Sequence, residues 1–376
     1  MNADKLQIVF SGLLRSPASW ATVSRHLLFE LSKMPAKVKV IPKRGFLYSQ
    51  DFPVMESIEK MVDNSIDLSE AAALCFDHPS FFPSLQGKIK AALLVYETFP
   101  LPVSWVRNIN RYLDLVFVPN EFNRKLFVKS GVIKEKIHVI PYGYSPRLIN
   151  QKGKNLSGKK EETRFLASAM PHKRKGVSFL VGSFCRAFSA KDNVSLTIKT
   201  TYCPKTIRKR LPWETLPVQD TIRRIKKKFS APPRITCLEK TLSDEEMSGF
   251  YKNFDVYVQP SFAEGYGLAV LEAMASGLPC IVTGYGGHMD FCTPENALLI
   301  PYALRYRKGM AYDKDLAKRR TLVAVPETDH FVLLLKQSHK DPVLLRRLAM
   351  KAAGDVSLLT WENSAKRLCQ KLLEAL

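Results

Sequence analysis

The chain has 376 residues, 46% of them hydrophobic, more than one core usually accommodates, so two domains of under about 200 residues each are expected. Seven cysteines, an odd number with no C-x-x-C pair, argue against a disulfide framework or a structural zinc site and for reduced thiols. The net charge of +22 calls for an anionic partner (a nucleic acid, an acidic membrane surface or an acidic substrate) unless the excess only solvates the surface.

From residue 1 to about 150, short apolar runs alternate with helix-like segments, the pattern of a parallel α/β sheet. The amino terminus enters its first strand without a signal-peptide pattern, and no run reaches the roughly 18 apolar residues of a membrane span. Strands are expected at Gln7–Phe10, Lys37–Ile41, Ala72–Phe76, Ala91–Tyr96, Leu115–Val118 and Ile137–Ile140, with a helix over Ala18–Leu31. Gly12, just after the first strand, is a candidate for close backbone approach to a ligand in an interdomain cleft, although lone glycines in such turns are common. Open α/β sheets bind ligands at the carboxyl ends of their strands. That singles out His78 after the third strand, either a proton shuttle or a hydrogen-bonded structural group. It also singles out Glu97 after the fourth, either oriented on a sugar or acceptor hydroxyl or paired with a basic residue. Ser145 to Lys160, polar and basic, reads as a linker.

A second domain, expected over residues 160–355, opens with the strand Arg164–Ala167 and a loop carrying Lys173, Arg174 and Lys175 ahead of a helix over Val177–Phe188. Three cations at a helix start oppose the macrodipole, and such conflicts are expected at functional sites. A bound diphosphate resolves the conflict, because cations and free helix amides both favour an anion; the alternative is a solvent-facing basic loop. Leu196–Lys199 is a strand ending on a lysine. A long basic connection then runs from Thr200 to Pro233, with a helix around Thr221–Phe229, and the density of Lys and Arg from Lys191 to Arg234 suits anionic lipid head groups. After the strand Ile235–Leu238, Thr241 or Ser243 caps a helix over Met247–Asn253.

The densest motif follows. Val256–Val258 is a strand, Glu264 lies in the next polar loop, Gly265-Tyr266-Gly267 turns the chain, and a helix from Leu268 carries Glu272. A strand, a glycine turn and free first-turn amides make a site for a phosphate-bearing ligand. The two glutamates, eight positions apart, serve one ligand or merely cap the helix start and face water. The strand Ile281–Thr283 ends in Gly284-Tyr285-Gly286-Gly287, a backbone that runs close to a neighbour or ligand. Tyr302–Pro326, rich in Arg and Lys, receives no assignment, and residues 330–376 are helical in pattern.

Pro260-Ser261, Glu264-Gly265, Gly267-Leu268, Leu271 to Ala275 and Gly277 to Ile281 resemble the signature of family 4 (group 1) retaining glycosyltransferases. Val116 to Asn123 and Val139 to Gly143 resemble a second element of that family, with Asn120 where serine is usual. The resemblance implies an α/β GT-B fold: two Rossmann-like domains facing each other across a cleft, an acceptor-side domain over 1–150, a nucleotide-sugar-binding domain over 160–355, and a C-terminal helix over 356–376 crossing back to the first. It implies retaining transfer of a hexose-type sugar from a nucleotide-diphosphate donor to a glycan or lipid-linked acceptor, in cell-surface polysaccharide or lipopolysaccharide synthesis. Residue by residue, it implies Glu264 near the transferred sugar and Glu272 on the ribose hydroxyls. Gly265, Tyr266, Gly267 and Leu268 would present backbone amides, Lys173, Arg174, Lys175 and Lys199 would meet the phosphates, and Glu239 would lie near the base. The chain departs from the pattern at Glu97, in a Tyr-Glu-Thr stretch seen in one branch, where many relatives carry histidine. It departs again at Met170, where an arginine is common and whose role passes to Arg174.

Negative charge grows on the leaving phosphate during such a transfer, and cations fixed where it develops lower the barrier. The one Asp-x-Asp, Asp313-Lys314-Asp315, sits in the unassigned region, so metal-independent catalysis without a cofactor is expected. Glu264, Arg174, Lys199 and Glu97 are the catalytic candidates. Competing readings are a catalytically silent sugar-nucleotide-binding scaffold, opposed by the glutamates and the basic loop, and a nucleic-acid-binding protein, for which RNP-like aromatics and a helix-turn-helix signal are missing. A dinucleotide oxidoreductase lacks G-x-G-x-x-G after the first strand. The expected location is the cytoplasm, peripheral on the inner face of the membrane, with an anionic membrane surface as a candidate partner.

Overall fold

The computed structural model describes residues 6–45, 47–145, 162–201 and 217–376. The chain divides into two compact units: residues up to Tyr96 with Pro100–Gly143 and Leu359–Leu376 form the first, and Glu97–Phe99 with Tyr144–Leu358 form the second.

In the first unit the order is β1 (Leu6–Leu13), α1 (Ser19–Leu31), β2 (Ala36–Lys43), α2 (Glu56–Lys60), β3 (Ala72–Phe76), β4 (Ile89–Leu93), α3 (Val103–Tyr112), β5 (Leu115–Val118), α4 (Glu121–Lys129) and β6 (Ile137–Val139). The described strands make a six-stranded sheet, β2-β1-β3-β4-β5-β6, parallel throughout. Every residue of β3 is buried. Parallel strands covered on both faces read as unbroken apolar runs rather than alternating ones, and that is why they stand out in the sequence.

Asn120 starts α4 by accepting the Asn123 N–H at 2.8 Å, and Asn123 Oδ1 in turn accepts the Tyr96 N–H at 2.7 Å, tying the exit of β4 to the helix start. Gly12 lies inside β1, in register with Pro42 and Phe76, and not in the turn after it. A Cβ there would lie 2.9 Å from the Phe10 ring and 3.3 Å from the Phe76 carbonyl oxygen, so packing within this sheet already accounts for the glycine. The closing helix Trp361–Ala375, capped by Thr360, packs in this unit. Trp361 stacks on His26 with ring centroids 5.3 Å apart, and Leu368 and Leu372 are fully buried, each contributing about 2 kcal/mol of hydrophobic stabilisation. Gly143 lets the helix start come close, since a Cβ there would fall 2.1 Å from the Trp361 nitrogen.

The second unit continues with β7 (Thr163–Ser168), α5 (Val177–Ala187), β8 (Val194–Thr200), α6 (Val218–Lys226), β9 (Arg234–Glu239), α7 (Asp244–Tyr251), β10 (Val256–Gln259), α8 (Leu268–Ala275), β11 (Cys280–Thr283), β12 (Leu298–Ile300), β13 (Tyr302–Lys308), α9 (Lys314–Ala317), β14 (Arg320–Pro326), α10 (Thr328–Lys340) and α11 (Pro342–Asp355). Its sheet, β12-β11-β10-β7-β8-β9, is parallel. Numbered within the unit, this is the doubly wound order 3-2-1-4-5-6, which reverses between β7 and β10. Phe165, Leu196, Ile198, Val256, Val258 and Ile281 of the strands pack with Phe184 of α5 and Phe331 of α10. Ser243 and Glu246 form a reciprocal capping box at α7, the start signal expected there.

The unassigned stretch after Tyr302 is an antiparallel hairpin, β13 with β14. Six of the seven residues of β13 are exposed and three are charged, so it shows no buried apolar run. Backbone N–H groups of β14 donate outward at 2.9 Å each, Leu322 to the Phe99 carbonyl and Ala324 to the Phe262 carbonyl. The expected linker beyond Ser145, and Lys205, Arg208, Lys209 and Arg210 of the basic connection, lie outside the described residues, as does Cys203. The other six cysteines are free. No described helix is long and apolar enough to cross a membrane.

Candidate active site

In an open α/β sheet the strand-order reversal leaves a crevice at the carboxyl ends of the flanking strands. In the second unit those strands are β7 and β10, and the loops that follow them carry the basic run and Glu264. Two backbone contacts zip the loops together. Phe262 N–H donates to the Arg174 carbonyl at 2.7 Å, and Gly176, at φ 67°, lies so near Pro260 that a Cβ would sit 2.5 Å from its carbonyl oxygen. Gly176 also opens α5, leaving that helix's first amides at the crevice.

Lys173–Lys175 form a 3₁₀ turn whose first residue follows His172, and His172 Nδ1 accepts the Arg174 N–H at 3.1 Å. With three residues per turn, successive side chains point about 120° apart. The three cations therefore leave the turn in different directions, although Arg174 and Lys175 both come near Glu264. Lys173 is exposed and runs toward Gly309. Arg174 is buried; it donates to Glu97 Oε1 at 2.7 Å and to the Ala263 carbonyl at 2.9 Å, and lies 4.5 Å over the Tyr312 ring. Lys175 donates to Glu264 Oε2 at 2.6 Å.

Glu264 is buried, and its Oε2 also accepts from Gln259 Nε2 at 3.0 Å, with Arg174 3.8 Å away. Among the described residues no donor reaches Oε1. Burial alone would raise this carboxyl, but Lys175 and Arg174 outweigh it and hold it below the usual range. Glu97 goes the other way: burial outweighs Arg174, Glu264 adds repulsion, and the carboxyl is held above its usual range. Burial lowers the Lys175 ammonium, with Glu264 opposing. The Arg174 guanidinium, despite burial, is pushed up by Glu97, Tyr312 and Glu264.

A second group lies at the ends of β8 and α8. Lys199, next to last in β8, has its ammonium lowered by burial and partly restored by Glu272. Glu272 Oε2 accepts the Tyr251 hydroxyl at 2.9 Å. Gly267, at φ 92°, opens α8, with Gly265 buried and Leu268 half-buried beside it. The Tyr266 ring is buried and packs on Phe291 at 5.5 Å, which leaves its backbone as the part that can face a ligand. Glu239 is exposed at the end of the sheet's edge strand, opposite Thr200, and joins neither group. Gly12 belongs to the first unit. In that unit His78 Nε2 accepts the Trp105 indole N–H at 3.1 Å. Asp313 accepts the Asp315 N–H and caps α9, which gives the Asp-x-Asp a structural role.

Sequence reasoning passed over His172, Tyr312, Tyr251, Gln259 and His288. His288 is fully buried under Gly267 and its Nε2 bonds the Thr283 carbonyl at 2.7 Å. The Gly286-Gly287 pair just before it was the available signal. His172 is pushed down to about 2, by burial first and then by Arg174 and Lys175. An unfolded chain takes up this proton near pH 6.5 and the folded one does not, so stability present above about pH 6.5 is lost as pH falls, with a slope of up to about 1.4 kcal/mol per pH unit. His172→Asn keeps the capping acceptor without the titration. Urea unfolding across acid pH should show a shallower loss for the variant, and equal slopes would refute this origin.

Residues 162–305 match the family model described as glycosyl transferases group 1. The Arabidopsis thaliana sulfoquinovosyl transferase SQD2 is 42% identical over 72 residues, 19% of this chain and 14% of its own length; the chain thus spans well under two thirds of that relative. Among solved structures, sucrose-phosphate synthase from Thermosynechococcus elongatus matches with a TM-score of 0.71 at 15% identity, over 98% of this chain and 99% of its own. Anabaena HepE, solved in complex with UDP and glucose, matches with a TM-score of 0.68 at 14% identity, over 98% and 100%. At such identities the structural likeness speaks for the fold.

Proposed function

We propose, for a chain that belongs to the group 1 glycosyltransferases and carries their GT-B fold, that the crevice between β7 and β10 binds a nucleotide-diphosphate sugar and transfers its sugar, with retention of configuration, to a glycan or lipid-linked acceptor. The observation that carries this reading is the buried Glu264 carboxylate, ionised by Lys175 across two loops with one oxygen left for a ligand. That oxygen accepts hydroxyls of the transferred sugar. Amides at the starts of α5 and α8, with Lys175 and Lys199, receive the charge that grows on the leaving diphosphate; preorganised donors of this kind supply a large share of catalysis. Glu272, beside Lys199, takes the ribose hydroxyls. Glu97, with its raised carboxyl, is suited to exchange a proton with an acceptor hydroxyl, and Arg174 positions it. Because side chains and amides meet the phosphate charge, transfer continues in EDTA. A cytoplasmic enzyme peripheral to an anionic membrane is the setting that fits a lipid-linked acceptor and the positive charge.

A thermal-shift screen of UDP-, GDP- and dTDP-sugars tests the donor assignment, with UDP-sugars first because HepE was solved with UDP. A donor at a hundred times its Kd adds about 2.7 kcal/mol. Lys199→Ala and Glu272→Ala should abolish the shift while the protein stays folded; tight donor binding by both variants would refute the site. Anomeric proton couplings of the product, read by NMR, test retention.

A further inference from the structure

The β13–β14 hairpin carries a groove of about 780 Å³ whose lining includes Lys173, Arg305, Arg307, Lys308 and Arg320 against a single carboxylate, Glu327. Among the described residues, Arg305, Arg307, Lys308 and Arg320 form no ion pair. Arg305 donates to the Leu304 carbonyl at 2.9 Å, and Arg307 lies 6.0 Å over the Phe262 ring. Lys308 and Arg320 stand directly opposite each other across the two strands, and like charges in that position are destabilising. A fold that keeps this repulsion and leaves Arg305, Arg307, Lys308 and Arg320 without an ion pair among the described residues gains from an anion in the groove. Apolar surface is interleaved with the charge: Met310, Val325 and Pro326 line the groove, and the Tyr306 side chain is 56% exposed, a flat face for a sugar ring. Charge interleaved with apolar side chains suits an anionic glycan, whose rings bring apolar faces as well as charge.

The groove adjoins the candidate site through three connections. Lys173 shares its turn with Arg174 and Lys175, β14 bonds the backbones of Phe99 and Phe262 beside the loops of Glu97 and Glu264, and the segment joining the strands brings Tyr312 to Arg174.

We propose that this groove is a subsite for an anionic glycan, the carboxylate- or phosphate-bearing stretch of the acceptor, which narrows the acceptor class within the glycosyltransferase reading on which it rests. The test uses the whole chain and three probes: an oligogalacturonate for carboxylates, a phosphomannan oligosaccharide for phosphates, and neutral maltohexaose. At least one anionic probe should bind about tenfold or more tighter than maltohexaose and weaken with salt. The charged probe that binds identifies the anion. Lys308→Gln/Arg320→Gln should lose about tenfold in affinity for that probe with an unchanged or higher melting temperature, since the repulsion is relieved. Arg305→Gln, a single exposed change, should weaken binding in the same direction. Equal binding of charged and neutral probes, or unaltered binding by both variants, overturns the proposal. So does loss of adsorption to phosphatidylglycerol–phosphatidylcholine vesicles by the variants when no oligosaccharide binds. Donor-induced thermal shifts should match between wild type and Lys308→Gln/Arg320→Gln. Failure of donors to stabilise the wild type refutes the glycosyltransferase reading, whereas the oligosaccharide arm alone judges the groove.

Discussion

Replacing Arg174 by methionine should destabilise the protein by about 3–5 kcal/mol, because it leaves the Glu97 carboxylate buried without its partner. The guanidinium is held on several sides, by Glu97, the Ala263 carbonyl and the Tyr312 ring. Glu97→Gln alone should also be costly, for it removes the guanidinium's nearest carboxylate and leaves Glu264, 3.8 Å away, as the remaining one. The double variant should recover part of the loss, since replacing both members of a buried pair is far less damaging than removing one. Urea midpoints of the four proteins give the coupling directly, and strictly additive losses would show that the pair is not coupled. Donor-induced thermal shifts separate two roles for Arg174: if it positions Glu97, the double variant still binds donor, and if it grips the diphosphate, binding is lost.

Glu264→Gln should reduce transfer by about a hundredfold to a thousandfold, the usual effect of deleting one preorganised electrostatic contact. It should also destabilise the protein, since Lys175 would lose its carboxylate in a site where burial already depresses its ammonium. The sign of the pH dependence follows. Without Glu264 that ammonium titrates still lower, so raising the pH neutralises it well before an exposed lysine would lose its proton. The deficit against wild type should therefore shrink as pH rises, read by urea unfolding at neutral and alkaline pH; a constant deficit would place the cost elsewhere.

The strands were legible because burial on both faces leaves little but apolar residues in them, as in β3 and β10. The spacing from Glu264 to Glu272 was legible because a glycine turn and a helix start are local events. Lys173, Arg174 and Lys175 show where such reading stops. Adjacent in sequence, they leave a tight 3₁₀ turn in different directions: Lys173 runs toward Gly309, Arg174 pairs with Glu97, and Lys175 pairs with Glu264, which Arg174 also approaches. His172, His288 and Tyr312 depend on contacts between distant segments, such as the tilted packing of the His172 and Tyr312 rings, centroids 4.2 Å apart. Strand β13 escaped notice for the opposite reason, since exposure removes the hydrophobic pattern by which a strand is recognised, whereas the mostly buried apolar run of β14 carried a signal that was available.

The first unit owes its last helix to residues 359–376, while more than half of the chain, residues 144–358, belongs to the second. During synthesis the second unit can emerge and close before the first is complete. Until Trp361, Leu368 and Leu372 arrive, the apolar surfaces that receive them, including the ring of Tyr142 near Trp361, are exposed. The earlier-made sheet thus waits for a later-made helix, and in that interval its uncovered apolar surface is in need of a chaperone.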